Sequence, residues 1–178
     1  MQIISGRFGG FKLKPPPKGI RPTSSRVKES LFDIIRDRLT QAAILDLFAG
    51  TGSLGLEALS ANAKRCCFVD KSWKAISTIR DNIEKLGVVE KTTLINTSAQ
   101  KFLKSDYDKK YDIVFLDPPY NKNNIDKLLL LIYKNNFIVE NGLIVVESNL
   151  DTKFPINNDK IARTEKYGKT KLTFFLNK

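Results

Sequence analysis

From residue 43 onward, short unbroken apolar runs alternate with longer segments whose apolar positions recur every three to four residues. Runs rich in β-branched and aromatic residues read as buried strands, and recurrence near 3.6 reads as amphipathic helix. On this basis Ala43–Phe48, Arg65–Asp70, Thr92–Asn96, Tyr111–Asp117 and Gly142–Glu147 are predicted strands. Leu54–Asn62 and the short Ala99–Lys104 are predicted helices. So is the segment carrying Trp73, Ile76, Ile79, Ile83 and Leu86, which Gly87 ends. Ile125–Tyr133 is a further helix, with Leu128 to Ile132 apolar almost all round. Strand–helix alternation of this kind predicts a parallel sheet covered on both faces.

The two ends depart from that rhythm. Lys160–Lys166 and Lys171–Leu176 are strand-like and joined at Tyr167-Gly168-Lys169, which predicts a closing antiparallel hairpin. Upstream, Val27, Leu31, Ile34, Ile35 and Leu39 share one helical face, with Ser24 or Ser25 as cap. Arg26 and Lys28 in its first turn are expected to face a phosphate or water. Residues 1–22 form a separate block, in which Ile3-Ile4 and Phe11-Lys12-Leu13 are strand-like pieces split by Gly9-Gly10, a hairpin signal. The expected organisation is therefore a basic hairpin extension over 1–22 and a single domain over 23–178.

Composition narrows the partners. Lys and Arg number 30 against 19 Asp and Glu, a net charge of +11 in 178 residues, which points to a polyanion; a genome rich in Lys and Asn is the bland alternative. In the N-terminal block Arg7, Lys12, Lys14, Lys18 and Arg21 interleave with Phe8 and Phe11. That mixture suits an RNA-gripping arm, with a solvated N-terminal appendage as the alternative. No apolar run reaches membrane-spanning length, and the first residues lack the apolar segment of a secretory signal, so a cytoplasmic protein without a membrane partner is expected. The absence of histidine excludes His-based triads and His metal sites. Adjacent Cys66 and Cys67 would point to opposite faces of a strand, as reduced core thiols, and no metal site is expected.

Two stretches carry candidate chemistry. Asp117-Pro118-Pro119-Tyr120 follows the apolar run Ile113–Leu116, and two prolines without N–H groups end the strand. A carboxylate, free carbonyls and an aromatic ring then meet at a strand's C-terminal end, where open α/β sheets bind ligands. Asp117 and the Pro118 carbonyl can each accept one hydrogen of a planar amine, and Tyr120 can stack on its ring. A plain strand-to-loop turn is the alternative.

The second stretch, Asp46-Leu-Phe48-Ala-Gly50-Thr51-Gly52-Ser-Leu-Gly55, holds a G-x-G-x-x-G between strand and helix, with Asp70 twenty residues after Gly50. This fits an adenosine-containing cofactor, with Asp70 accepting from two ribose hydroxyls, and it satisfies the dinucleotide fingerprint too. Asp46 inside the strand suits a ligand carrying an ammonium group and would repel a pyrophosphate. That, the need for an electrophile opposite the amine site, and the closing hairpin favour S-adenosylmethionine over a nicotinamide dinucleotide.

With both motifs in view, the chain resembles the class I S-adenosylmethionine-dependent methyltransferases. More closely, it is similar to the bacterial small-subunit ribosomal RNA guanine-N2 methyltransferases of the RsmD type. The likeness runs through Ile4-Ser-Gly-Arg7, Lys12-Leu13, Arg21-Pro22-Thr23, Arg26-Val-Lys28-Glu-Ser-Leu-Phe32, Asp46 to Leu59, Asp117 to Tyr120 and Tyr167-Gly168.

It implies a Rossmann-like three-layer sandwich on a mostly parallel seven-stranded sheet, and methylation of one guanine in 16S ribosomal RNA. It implies that Asp46, Phe48, Gly50, Thr51 and Gly52 line the methionine part of the cofactor, that Asp70 holds the ribose, and that Ser98 and Ala99 flank adenine. Asp117, Pro118, Pro119 and Tyr120 would hold the target base, with Asp117 also bordering the cofactor. Arg7, Lys12, Lys14, Arg21, Thr23, Arg26 and Lys28 would contact RNA. A monomer acting on small-subunit RNA, within a ribosomal particle, is the expected state. Departures from the family pattern are Asp rather than Glu at the ribose position and Lys71-Ser72-Trp73 after it. Another amine target (adenine N6 or a different ribosomal guanine) and a non-catalytic RNA-binding assembly factor are the competing readings.

Overall fold

A computed structural model describes residues 1–15, 24–118, 125–154 and 158–178. Its seven strands are β1 (Ala43–Leu47), β2 (Arg65–Asp70), β3 (Thr92–Asn96), β4 (Tyr111–Leu116), β5 (Ile138–Asn149), β6 (Ile161–Tyr167) and β7 (Thr170–Leu176). They form one sheet in the order β3-β2-β1-β4-β5-β7-β6. The first five pair in parallel, and β7 is antiparallel to both β5 and β6.

The helices are α1 (Ser25–Ile35), α2 (Ser53–Ser60), α3 (Trp73–Leu86), α4 (Ala99–Phe102) and α5 (Ile125–Lys134). Strand alternation divides the core cleanly. Ile44, Cys66, Phe68, Ile113, Phe115 and Val145 pack under α1, α2 and α3. Leu45, Cys67, Val69, Val114, Leu116 and Val146 pack under α4 and α5. This is the sheet covered on both faces that the alternation predicts, with the seven strands and three layers that the methyltransferase resemblance implies. Cys66 and Cys67 lie on opposite faces as free, buried thiols.

Local chemistry explains the element ends. Ser24 caps α1 by accepting from the Val27 N–H, Ser72 caps α3 through Ala75, and Ser98 caps α4 through Lys101. Gly87 closes α3 at φ +65°, and Gly168 turns the final hairpin at φ +57°. Strand β5 begins earlier than Gly142, because a register shift lets Tyr111 pair with Ile138 before Ile113 pairs with Leu143. Helix α5 is not buried all round: Leu129 and Ile132 face the core while Leu130 is 42% exposed. None of the described helices is long and apolar enough to cross a membrane.

Over its described residues, 1–15, the N-terminal block packs onto the rest of the chain. A single antiparallel bridge, Gln2 to Lys12, closes it around a short 3-10 turn at Gly6–Phe8. Ile3 and Leu13 are buried in the core under α1 to α3, and Phe8 and Phe11 are half-buried against it. Gly6, at φ +78°, sits so close to Ser60 that a Cβ would lie 2.5 Å from its carbonyl carbon.

Candidate functional site

Register alone brings the two motifs together. Leu47 pairs with Val69 on one side and Leu116 on the other. The next residues, Phe48, Asp70 and Asp117, therefore leave three adjacent parallel strands at one level, each about 5 Å from its neighbour. Asp117 is half-buried and Pro118 buried. Pro119 and Tyr120 lie outside the described residues, as do Arg21 and Thr23.

The glycine loop leaves β1 through three left-handed residues, Phe48 (φ +64°), Gly50 (φ +57°) and Gly52 (φ +77°). Such a backbone is strained at Phe48, and strain of this kind is held where function needs an unusual turn. Gly52, at the N-cap of α2, has no side chain to cap it. Asp46 takes over that role from the neighbouring strand, its Oδ2 accepting the Gly55 N–H at 3.0 Å. Gly55 lets α2 approach β2: a Cβ there would lie 2.5 Å from Cys66 Sγ and closer still to the Phe68 ring.

Asp46 is buried, and burial pushes its carboxyl up to about 7. The Gly55 N–H opposes this and the Asp70 charge adds to it. A cation arriving at the loop would favour its ionised form. Asp70 is held by two backbone donors, Gly50 N–H at 2.9 Å and Ser72 N–H at 2.8 Å. Both oxygens are thereby fixed at the strand end, with lone pairs left for a diol. Ser98 is exposed at the end of β3 and Ala99 is buried beneath it.

Thr51 is buried, its hydroxyl 3.6 Å from Met1 Sδ and its carbonyl accepting from Asn82 Nδ2 at 3.2 Å. Asn82 Oδ1 in turn accepts the Lys14 N–H at 2.8 Å. One wholly buried amide on α3 therefore tethers both the glycine loop and the N-terminal block.

Beside it lies a buried ion pair, Lys28 Nζ to Glu57 Oε2 at 2.7 Å. Lys28 Nζ also donates to the Gln2 carbonyl (2.8 Å) and Ser53 Oγ (3.2 Å). Glu57 accepts the N–H groups of Ile4 and Ser5. The expectation that Lys28 faces phosphate or water is thus corrected: it is 2% exposed and joined to Glu57. Lys14 is exposed but ion-paired with Asp81. Arg7, whose guanidinium lies 5.3 Å from the Phe8 ring centre, Lys12 and Arg26 are exposed.

Sequence reasoning missed Asn82 and Glu57. A signal existed for Glu57, the one charged residue in α2. Lys28 carried one as well, spaced i, i+4, i+7 with buried Phe32 and Ile35.

Known proteins share this framework. The profile of the family described as conserved hypothetical protein 95 matches residues 1–176. The chain is similar to the putative rRNA methyltransferase YlbH of Bacillus subtilis, 34% identical over 180 residues and covering 98% of each chain. It is similar to ribosomal RNA small subunit methyltransferase D of Haemophilus influenzae, 38% identical over 154 residues, 85% of this chain and 80% of that one. Among solved structures, a putative methyltransferase, yhhF, from Escherichia coli superposes with a TM-score of 0.89 at 31% identity, covering 100% of this chain and 98% of that one.

Proposed function

The chain belongs to the ribosomal RNA small subunit methyltransferase D family, and from that premise we propose that it transfers a methyl group from S-adenosylmethionine to the N2 amine of one guanine in small-subunit ribosomal RNA. The observation that carries this reading is the shared register level of Phe48, Asp70 and Asp117. That shared level supports reading Asp70 as a diol acceptor and Asp117 as an amine acceptor on either side of the glycine loop.

The residues present fit the cofactor. Asp70, held by Gly50 and Ser72, offers two oriented acceptors to ribose hydroxyls. Asp46, with its carboxyl near 7, is poised to ionise toward an ammonium group. The left-handed turn at Gly50 and Gly52 keeps side chains away from the methionine part. When bound, S-adenosylmethionine supplies an electrophilic methyl carbon on a sulfonium.

The chain's own residues then do three things. Asp117 and the Pro118 carbonyl accept the two amine hydrogens, which aims the nitrogen's weakly available electron pair along the line of attack. As positive charge grows on nitrogen, the same two oxygens stabilise it, and electrostatic stabilisation of this kind is worth roughly 3–4 kcal/mol per group. Tyr120 stacks on the extruded base, contributing about 1–3 kcal/mol against the cost of unstacking. Asp117 need not be a strong base, because the amine becomes acidic only as the new bond forms. Arg7, Lys12 and Arg26 hold phosphates, while Lys28 keeps the N-terminal block in place.

The test is methyl transfer from labelled S-adenosylmethionine to undermethylated small-subunit particles, naked small-subunit RNA or DNA, followed by mapping of the modified base. Label at N2 of one guanine bears the proposal out. Label at adenine N6, or in DNA alone, replaces it.

A further inference from the structure

The closing hairpin brings lysines to the same rim from the other side. Lys166 and Lys171 are directly opposite across β6 and β7, and Lys169 sits in the turn between them. The register continues from the site: Leu116 pairs with Val146, and Glu147 and Ser148 pair with Leu172 and Lys171. Lys171 therefore stands one residue farther out than the level of Asp117 and two strands over, roughly 10 Å sideways, with Lys166 one strand beyond.

Like charges directly opposite on paired strands destabilise a sheet. The Lys171 ammonium is held below its usual range by burial and by the Lys166 charge, which Asp151 only partly offsets. Lys171 is nevertheless fixed, its Nζ donating to the Thr152 carbonyl and lying 5.4 Å from the Phe154 ring centre. None of the three lysines forms an ion pair among the described residues. A preset cluster of cations, offset only in part by Asp151, calls for an anion beside the base site, and a phosphate bridging Lys166 and Lys171 would remove their repulsion.

Resting on the proposed function, we propose that Lys166, Lys169 and Lys171 grip the RNA phosphates flanking the target nucleotide, on the side of the site away from the N-terminal block. That block packs over α2 and α3, next to β1 and β2, and the hairpin forms the opposite edge of the sheet. The substrate strand is thus held from both sides of Asp117. Because these contacts reach phosphates and not base edges, they raise affinity without choosing the nucleotide.

The experiment measures binding of a small-subunit RNA fragment containing the mapped target, across a salt series. It compares wild type, Lys166→Gln/Lys169→Gln/Lys171→Gln, the milder Lys166→Gln/Lys169→Gln, and a charge-matched control, Lys64→Gln/Lys91→Gln/Lys110→Gln. The control lysines are exposed at the opposite ends of the strands, just before β2, β3 and β4. Each lost phosphate contact on single-stranded RNA removes about 0.7 from the slope of log affinity against log salt. With Lys166 and Lys171 sharing one phosphate and Lys169 holding another, the expected result is a slope shallower by about 1.4 for the hairpin triple and by about 0.7 or more for the double, which leaves Lys171 in place, and wild-type behaviour for the control. Equal slopes for the hairpin triple and the control, or an unchanged slope in both hairpin variants, overturn the proposal. Wild-type protein that neither binds nor methylates this RNA would instead sink the proposed function itself.

Discussion

Breaking the Lys28–Glu57 pair should show how firmly the N-terminal block is fastened to the catalytic sheet. Both side chains are almost wholly buried, at 3% and 0% exposure and 2.7 Å apart. Glu57→Leu strands the Lys28 ammonium without a counter-charge and leaves the Ile4 and Ser5 N–H groups without their acceptor. Removing one partner of a buried pair costs about 3–5 kcal/mol, a large share of the 5–15 kcal/mol that typically separates folded from unfolded. Lys28→Met should fall near the lower end, about 3 kcal/mol, because Glu57 keeps its backbone donors. The double variant removes both charges together and should recover about 2–3 kcal/mol relative to the sum of the singles. Urea unfolding with linear extrapolation measures all four corners of the cycle. Additivity within about 0.5 kcal/mol would refute the claim that the two charges stabilise one another and that each alone is a liability.

Other consequences can be checked separately. Since burial holds the Asp46 carboxyl near 7 and an ammonium ligand favours its ionised form, S-adenosylhomocysteine affinity should fall about tenfold per pH unit below 7 and level off above it. Asp46→Asn should flatten the profile in calorimetric titrations. The same raised carboxyl makes a stability contribution that is full below its unfolded value near 3.8 and is lost as pH rises through about 7. Asn82→Leu leaves the Thr51 carbonyl and the Lys14 N–H unpaired. It should cost about 2–4 kcal/mol and weaken cofactor binding several-fold, whereas unchanged cofactor affinity would show that the tether does not shape the loop. Gly55→Ala drives a methyl into Phe68 and Cys66. Overpacking of this kind costs about 1–3 kcal/mol, so melting followed by circular dichroism should drop by roughly 3–10 °C, and an unshifted Tm contradicts the close approach of α2 to β2.

Much of this architecture could be read before any coordinates. Strands β2 and β3 ended where the pattern put them, because Ala61-Asn62-Ala63, Gly87 and the Ser98 cap punctuate the chain locally. The separation of Cys66 from Cys67 followed from strand periodicity alone. The longer β5 did not, since its extra residues pair across a shift near Asn141, at φ +59°, and Gly142. Such an irregularity depends on the neighbouring strand. The burial of Lys28 was hidden for a similar reason: its partner Glu57 lies on another helix, and a lysine in a first turn ordinarily reaches water. Phe8 and Phe11 read as the aromatic part of an RNA-gripping arm, but both are half-buried against the core under α1 to α3. Local signals therefore marked the glycine loop, Asp70 and Asp117, whereas the bonds through Asn82 and Glu57 that tie the glycine loop and α2 to the N-terminal block join segments distant in sequence.

The most direct measurement pairs two readings on Asp117→Ala: S-adenosylhomocysteine affinity by calorimetry, and single-turnover methyl transfer to undermethylated small-subunit RNA or particles. With Asp117 gripping the amine, the variant should bind cofactor within about threefold of wild type while transfer slows by roughly 10²–10³-fold. Methylation at the wild-type rate by a variant lacking that carboxylate would contradict the account at its root.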